Sequence, residues 1–175
     1  TGGAITVAGT IKGTDNGTDE TVTLNAGTTG GNTDTVSIAA IGTAGASEIH
    51  QITLTGADGV TLNGDIETSD DASSSVTVTG PVTLATGAID IDTNAGTNDG
   101  TINFSSSATT IGGTQSLTLD SGSGAITLQG AIGTVGGVLT GLDVNSTDGA
   151  IGTIEITNIG SGSTAGVGGA VSIGN

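Results

Sequence analysis

The sequence predicts an all-β chain that winds as an irregular, right-handed parallel β-helix, that is, a β-solenoid. Three observations support this prediction. Apolar and polar residues alternate in about fourteen short segments, 34 of the 175 residues are glycine, and aromatic residues make up only 1% of the chain. No segment shows the spacing of three and four residues that indicates an amphipathic helix.

The alternating segments each contain two or three apolar residues separated by single polar ones. A period of two places alternate side chains on one face of a strand, and the branched residues that fill these segments favour extended backbone. In chain order the predicted strands are Ala4–Val7, Thr21–Leu24, Val36–Ile38, Ile52–Leu54, Val60–Leu62, Val76–Val78, Val82–Leu84, Ile89–Ile91, Ile102–Phe104, Leu117–Leu119, Ile126–Leu128, Leu142–Val144, Ile154–Ile156 and Val171–Ile173.

The size of these strands favours a solenoid over a two-sheet sandwich. A sandwich has an interior about 10 Å thick and longer strands, whereas short aliphatic strands with glycine corners suit a narrow stacked core. Two or three strands per coil predict about seven or eight coils. The alternative is an antiparallel β-sandwich with strand exchange, which is favoured by the hairpin signal Asn63-Gly64 between Leu62 and Ile66.

Charge and composition exclude several classes of function. Seventeen acidic residues against one basic residue, Lys12, give a net charge of −16, so the chain lacks the clustered cations that nucleic-acid binding requires. Without cysteine, it has no disulfide framework and no thiolate metal site. No apolar run is long enough to span a bilayer.

Two Gly/Thr/Ala-rich stretches, Ile102–Leu128 and Gly149–Gly174, resemble the repeats of filamentous-haemagglutinin-like and autotransporter-type bacterial surface proteins. The similarity of composition and cadence covers most of the chain. The resemblance implies a secreted parallel β-helical stalk that serves adhesion or scaffolding at the cell surface.

Both ends of the chain carry the same pattern, with Gly-Gly-Ala followed by apolar, polar and apolar residues. We therefore expect residues 1–175 to form a single solenoid segment that is open at both ends. Since an isolated solenoid needs capping segments, copies of the segment are predicted to join head to tail, as a homopolymer or a tandem array. The predicted interface residues are Ile5, Val7, Val171 and Ile173.

Chemically active sites are harder to find in this sequence. The single imidazole, His50, is expected to be a wall or loop residue, and no Gly-x-Ser-x-Gly motif accompanies it, so we predict that the chain is not an enzyme. Calcium is a weaker possibility, because loops rich in carboxylates supply the hard oxygens that it prefers. The candidate calcium ligands are Asp15, Asp19, Asp70, Asp71 and Asp99.

Two surface patterns complete the set of candidate sites. Thr-x-Thr pairs at positions 21/23, 33/35, 53/55 and 77/79 are similar to an ice-binding solenoid face, but their uneven intervals favour plain outward threonines. The acceptor pattern for N-linked glycans occurs at Asn16, Asn103 and Asn145.

These observations predict a non-catalytic structural subunit, or repeat, of an extracellular filament or cell-surface stalk. It would assemble head to tail by stacking of β-edges. The alternatives are an adhesin module that binds sugars or surfaces, with glycans as partners, and a pilin-like subunit that exchanges a donor strand.

Overall fold

A computed structural model describes residues 2–15, 19–29, 31, 33–43, 45, 47–94, 96–133, 137–145, 152–160 and 166–174. This part of the chain forms strands and connections and contains no helix. The strands are β1 (Ile5–Val7), β2 (Thr21–Gly27), β3 (Thr35–Ile38), β4 (Gln51–Gly56), β5 (Gly59–Leu62), β6 (Ile66–Glu67), β7 (Ser75–Thr79), β8 (Val82–Leu84), β9 (Ile89–Asp92), β10 (Thr101–Phe104), β11 (Ile111–Gly113), β12 (Ser116–Asp120), β13 (Ile126–Ile132), β14 (Gly141–Val144), β15 (Ile154–Ile159) and β16 (Val171–Ile173).

The strands stack into three faces around one core. Face I consists of β2, β4, β7, β10 and the first halves of β13 and β15. Face II consists of β1, β3, β5, β8, β11 and the last residues of β13 and β15. Face III consists of β6, β9, β12, β14 and β16, and single bridges extend it to Ile41 and Ile11. Faces I and II belong to one sheet because β13 and β15 bend from one face to the other.

All strand pairs in the described part of the chain are parallel. The β-solenoid prediction is therefore confirmed and the antiparallel sandwich is wrong, while the handedness of the winding stays a prediction. Asn63-Gly64 turns the chain from face II to face III rather than closing a hairpin. The Asn63 amide nitrogens of backbone and side chain both donate to the carbonyl of Ile38 in the neighbouring coil, at 2.9 and 3.0 Å.

Stacking in register produces columns of aliphatic side chains inside the solenoid. One column on face I runs through Val22, Ile52, Val76, Ile102, Ile126 and Ile154. Each column holds six or seven rungs, and five or six strand spacings therefore separate its two ends. This number of turns is somewhat lower than the seven or eight coils predicted from the sequence. The middle rungs are 0–2% exposed, and Phe104, the one aromatic residue, lies among them.

The coils differ in length because their corners differ. The register advances by 31 residues from Ile5 to Val36 but by 22 from Val60 to Val82. At the corner from face III to face I each connection has at least five residues, whereas Gly80-Pro81 alone connects β7 to β8. Gly80 has a φ of 117°, and a Cβ there would collide with the carbonyl of Gly56 in the adjacent coil, so this corner requires glycine.

All fourteen predicted strands are present, and the structure adds two that the alternation did not reveal. Strand β6 contains two residues, and β11 contains one branched residue followed by Gly112 and Gly113. Both strands have too few side chains to show a period of two. They form because the rungs on either side supply backbone hydrogen-bond partners.

Candidate functional site: outer faces and end rungs

Face III presents carboxylates to solvent in two columns. Register pairs Asp90 with Thr118 and then Asp143 in one column, and Glu67 with Asp92 and then Asp120 in the other. Asp65 precedes Asp90 in the first column, and its carboxylate accepts the Asp90 backbone N–H at 2.9 Å. Because strands in a sheet lie about 4.8 Å apart, carboxylates on adjacent rungs are close enough to repel each other.

The pKa values on face III reflect this crowding. Partial desolvation, and then repulsion from Asp92 and Asp65, raise the pKa of Asp90 to about 6. Desolvation likewise raises the pKa of Asp92 and of Glu67, and neighbouring carboxylates raise it further. The face therefore gains protons more readily than ordinary carboxylates do as the pH falls.

A shallow depression of about 280 Å³ lies at one end of face III. Thr10, Ala40, Gly42, Thr43, Asp65 and Glu67 line it. Within the described residues, the Glu67 Oε2 atom is buried and has no hydrogen-bond partner.

On its first five described rungs, face I carries hydroxyl and amide groups where face III carries carboxylates, and an acidic residue, Glu155, follows on the last rung. Its outward column runs through Thr23, Thr53, Thr77, Asn103 and Thr127. The intervals along the sequence are 30, 24, 26 and 24 residues, yet the side chains lie on consecutive rungs because the corner connections absorb the differences. Sequence spacing hid this ladder, and only the strand register reveals it.

The acidic residues in the corner connections act as hydrogen-bond acceptors between coils. The Asp70 carboxylate accepts the backbone N–H groups of Thr97 and Asn98 from the next coil, at 2.9 and 2.8 Å, and these bonds hold the pKa of Asp70 below its usual value. Asp99 accepts the Ser123 backbone N–H at 2.7 Å and also the Ser123 hydroxyl. Each carboxylate thus joins one coil to the next.

The structure distributes the calcium candidates over several connections. Asp15 and Asp19 lie in the first connection from face III to face I, Asp70 and Asp71 in the third, and Asp99 in the fourth. Asp71 accepts the Ser73 backbone N–H at 2.7 Å and also its hydroxyl, and these bonds lower the Asp71 pKa. Across the described ranges, no three His or acidic side chains form a group that could hold a metal ion. Calcium binding stays a prediction.

His50 is buried immediately before β4, in a polar cluster whose outer members, Asp71 and Ser73, reach the surface. Its Nε2 atom is 3.3 Å from the Ser73 hydroxyl and its Nδ1 atom is 3.5 Å from the Ser69 hydroxyl, while the Ser73 hydroxyl donates to Asp71. In a nucleophile–base–acid triad the histidine lies between the serine and the carboxylate. Here the serine occupies the middle position, and the cluster ties His50 to the connection of the next coil.

The three glycan candidates have different settings. Asn145 is buried, has a left-handed φ of 49°, and donates its side-chain amide to the Gly122 carbonyl at 2.8 Å, so the folded chain itself uses that amide. Asn103 lies on the outward side of β10 between Thr77 and Thr127, with its Oδ1 atom buried. Asn16 lies outside the described residues.

The predicted interface residues lie at opposite ends of the solenoid and on different faces. Ile5 and Val7 form the first rung of face II, whereas Val171 and Ile173 form the last rung of face III. Val171 is 45% exposed and Ile173 is 46% exposed, in contrast to the 0–2% of the middle rungs. The end rung of face II, Ile159, is 40% exposed. Aliphatic side chains and open strand edges therefore mark both ends of the described segment.

Comparison with family models, curated proteins and solved structures finds no match for this chain. No helix in the described part of the chain combines the length and the apolar character that crossing a membrane requires.

Proposed function

We propose that this chain is a non-catalytic structural subunit, or repeat, of an extracellular filament or cell-surface stalk, and that copies join end to end by stacking β-strand edges. The observation that carries the proposal is the exposure of the end rungs. Ile159, Val171 and Ile173 are the large hydrophobic side chains that stand exposed in the described structure, and all three belong to last rungs. A further rung would bury them and pair their backbone groups.

The opposite end offers matching side chains. Packed against the core but only partly buried are Ile5, Val7, Ile11, Val22 and Leu24, because in the described structure each has a neighbouring rung on one side only. An interface between two different ends repeats by translation along the axis and does not close on itself, so it produces a polymer.

The outer surface suits a rod that is exposed to a harsh exterior. Cysteine and methionine, the residues that oxidants attack most readily, are absent from the sequence, and Lys12 is the single cleavage site for a trypsin-like protease. The charge of −16 keeps rods apart at low salt. The resemblance to bacterial surface repeats agrees with this location.

The experiment that tests the proposal is electron microscopy and light scattering of the purified chain over a range of concentrations. We expect rods whose mass grows in multiples of 16.4 kDa. An Ile173→Asp variant places a charge in the apolar end rung and is expected to remain monomeric. Thr77→Asp adds the same charge to an outward position in the middle of face I, between Thr53 and Asn103, and this matched control is expected to assemble as the unaltered chain does.

A chain that stays monomeric at all concentrations would overturn end-to-end joining. Equal assembly of the Ile173→Asp variant and the unaltered chain would show that the end rungs are not the interface.

A further inference from the structure

The chain visits the three faces in a strict order, and that order determines how a second copy fits. From Ile5 onward the rungs fall on face II, face III and face I in turn, and the last three are Ile154 on face I, Ile159 on face II and Ile173 on face III. Within the described residues, the register thus gives seven rungs on face II, seven on face III and six on face I. After Ile173 on face III, the next position along the spiral lies on face I, above β15.

A second copy can be placed in three rotational positions. If its faces are aligned with those of the first copy, its β1 lies on face II above Ile159, and the position on face I is skipped. That arrangement leaves a gap one strand wide between Ile154 and the Val22 of the second copy. If β1 lies directly on β16, two positions are skipped, on faces I and II.

The third position leaves no gap. When the second copy is rotated by one third of a turn, its β1 lies on β15, its Ile11 lies on Ile159, and its β2 lies on β16. The inward side chains then continue the columns, with Ile5 above Ile154 and Val22 above Val171. Because an unpaired strand edge beside an apolar gap is unfavourable, the gapless arrangement buries the most aliphatic surface and satisfies the most backbone groups.

We infer that the partner of each end is a second copy of this chain, rotated by one third of a turn so that β1 pairs with β15 and β2 pairs with β16. This inference rests on the proposed end-to-end assembly and adds its rotational phase. It keeps the predicted interface residues Ile5, Val7, Val171 and Ile173 at the junction, with Ile5 and Val7 against β15 and with Val171 and Ile173 against β2 of the neighbouring copy. At about 4.8 Å per turn, each copy would advance the filament by roughly 32 Å.

The absence of cysteine makes the phase directly testable by disulfide trapping. Outward residues on adjacent parallel rungs have Cα atoms about 4.8 Å apart, within the range that a disulfide spans. A cysteine at Ser172 can be combined with one at Thr23, Thr10 or Thr6, which are exposed outward positions of the first coil. The gapless arrangement brings Thr23 next to Ser172, the aligned arrangement brings Thr10 next to it, and pairing of β1 with β16 brings Thr6 next to it.

We expect the Thr23→Cys/Ser172→Cys variant to form a ladder of dimers and higher multimers on non-reducing gels, at least tenfold faster than the other two double variants. The ends of one copy lie five or six strand spacings apart, roughly 25–30 Å, so these disulfides must form between copies. Light scattering of the reduced variants shows separately whether each one assembles.

Fastest cross-linking by Thr10→Cys/Ser172→Cys or by Thr6→Cys/Ser172→Cys would overturn the phase while leaving the assembly intact. The phase would also be overturned if polymers form but none of the three cysteine pairs cross-links them. If the reduced variants and the unaltered chain form no polymer, the proposed assembly itself fails, and the phase fails with it.

Discussion

Faces I and III share one interior but differ on the outside. Both turn aliphatic side chains inward, such as Leu54 on face I and Ile91 on face III, and both of these are fully buried. Outward, face I carries Thr53 and its neighbours in the column, whereas face III carries Asp90 and Asp92. The fold thus depends on the inward half of each strand, while the outward half sets charge and response to pH.

The largest loss of stability is expected from substitutions of the inward aliphatic side chains, in which the two faces are alike. Leu54→Ala on face I and Ile91→Ala on face III each remove most of a buried aliphatic side chain and leave a cavity, and each should lower the free energy of unfolding by about 2–5 kcal/mol. Urea denaturation followed by circular dichroism measures this. The outward control Thr53→Ser should change it by about 0.5 kcal/mol or less. A large cost on one face and none on the other would show that the faces do not share a core.

A smaller change in the free energy of unfolding is expected for the carboxylates. It should have opposite signs for a carboxylate that accepts hydrogen bonds from the next coil and for one that is repelled by its neighbours. Asp99→Asn weakens the charged acceptor of the Ser123 N–H and hydroxyl and should destabilise the fold by about 1–2 kcal/mol. Asp90→Asn is isosteric but removes a repelled charge, and at pH 7 it should stabilise the fold by less than about 1 kcal/mol because solvent screens the site. The same urea titrations compare the two variants. Destabilisation by Asp90→Asn would contradict the assignment of face III as repulsive.

The smallest expected effect is the change in the free energy of unfolding of the unaltered chain with pH. The pKa of Asp90 is raised in the folded state to about 6, so the folded chain binds this proton more tightly than the unfolded chain. The free energy of unfolding should therefore rise as the pH falls from 7 to about 4. Below that range the trend reverses, because the pKa values of Asp70, Asp71 and Glu20 are lowered by hydrogen bonds that protonation weakens.

Thermal melts at pH 7, 5 and 3 measure this profile, and of these three pH values we expect the highest melting temperature at pH 5. The Asp90→Asn variant should show a smaller gain between pH 7 and pH 5. A melting temperature that falls steadily from pH 7 to pH 5 would contradict the prediction.

The strands could be predicted from sequence because a period of two survives even in segments of three residues, such as Val82-Thr83-Leu84. Their assignment to faces could not be, because the connections vary in length and register depends on them. The column of Thr53, Thr77 and Asn103 therefore looked irregular in the sequence. The roles of Asp70 and Asp99 also stayed hidden, since their acceptor bonds reach N–H groups more than twenty residues away. A loop carboxylate looks the same in sequence whether it binds an ion or a neighbouring amide.

At the corner from face III to face I, the connections differ in length without changing how the strands stack. Counted from the face III bridges at Ile11 and Ile41 and from the ends of the later face III strands, connections of five to nine residues leave and re-enter the same columns there, so a change in one of them does not shift the strands beside it. Foreign peptides grafted at this corner would be displayed in a single file, one per coil, along an otherwise unaltered rod.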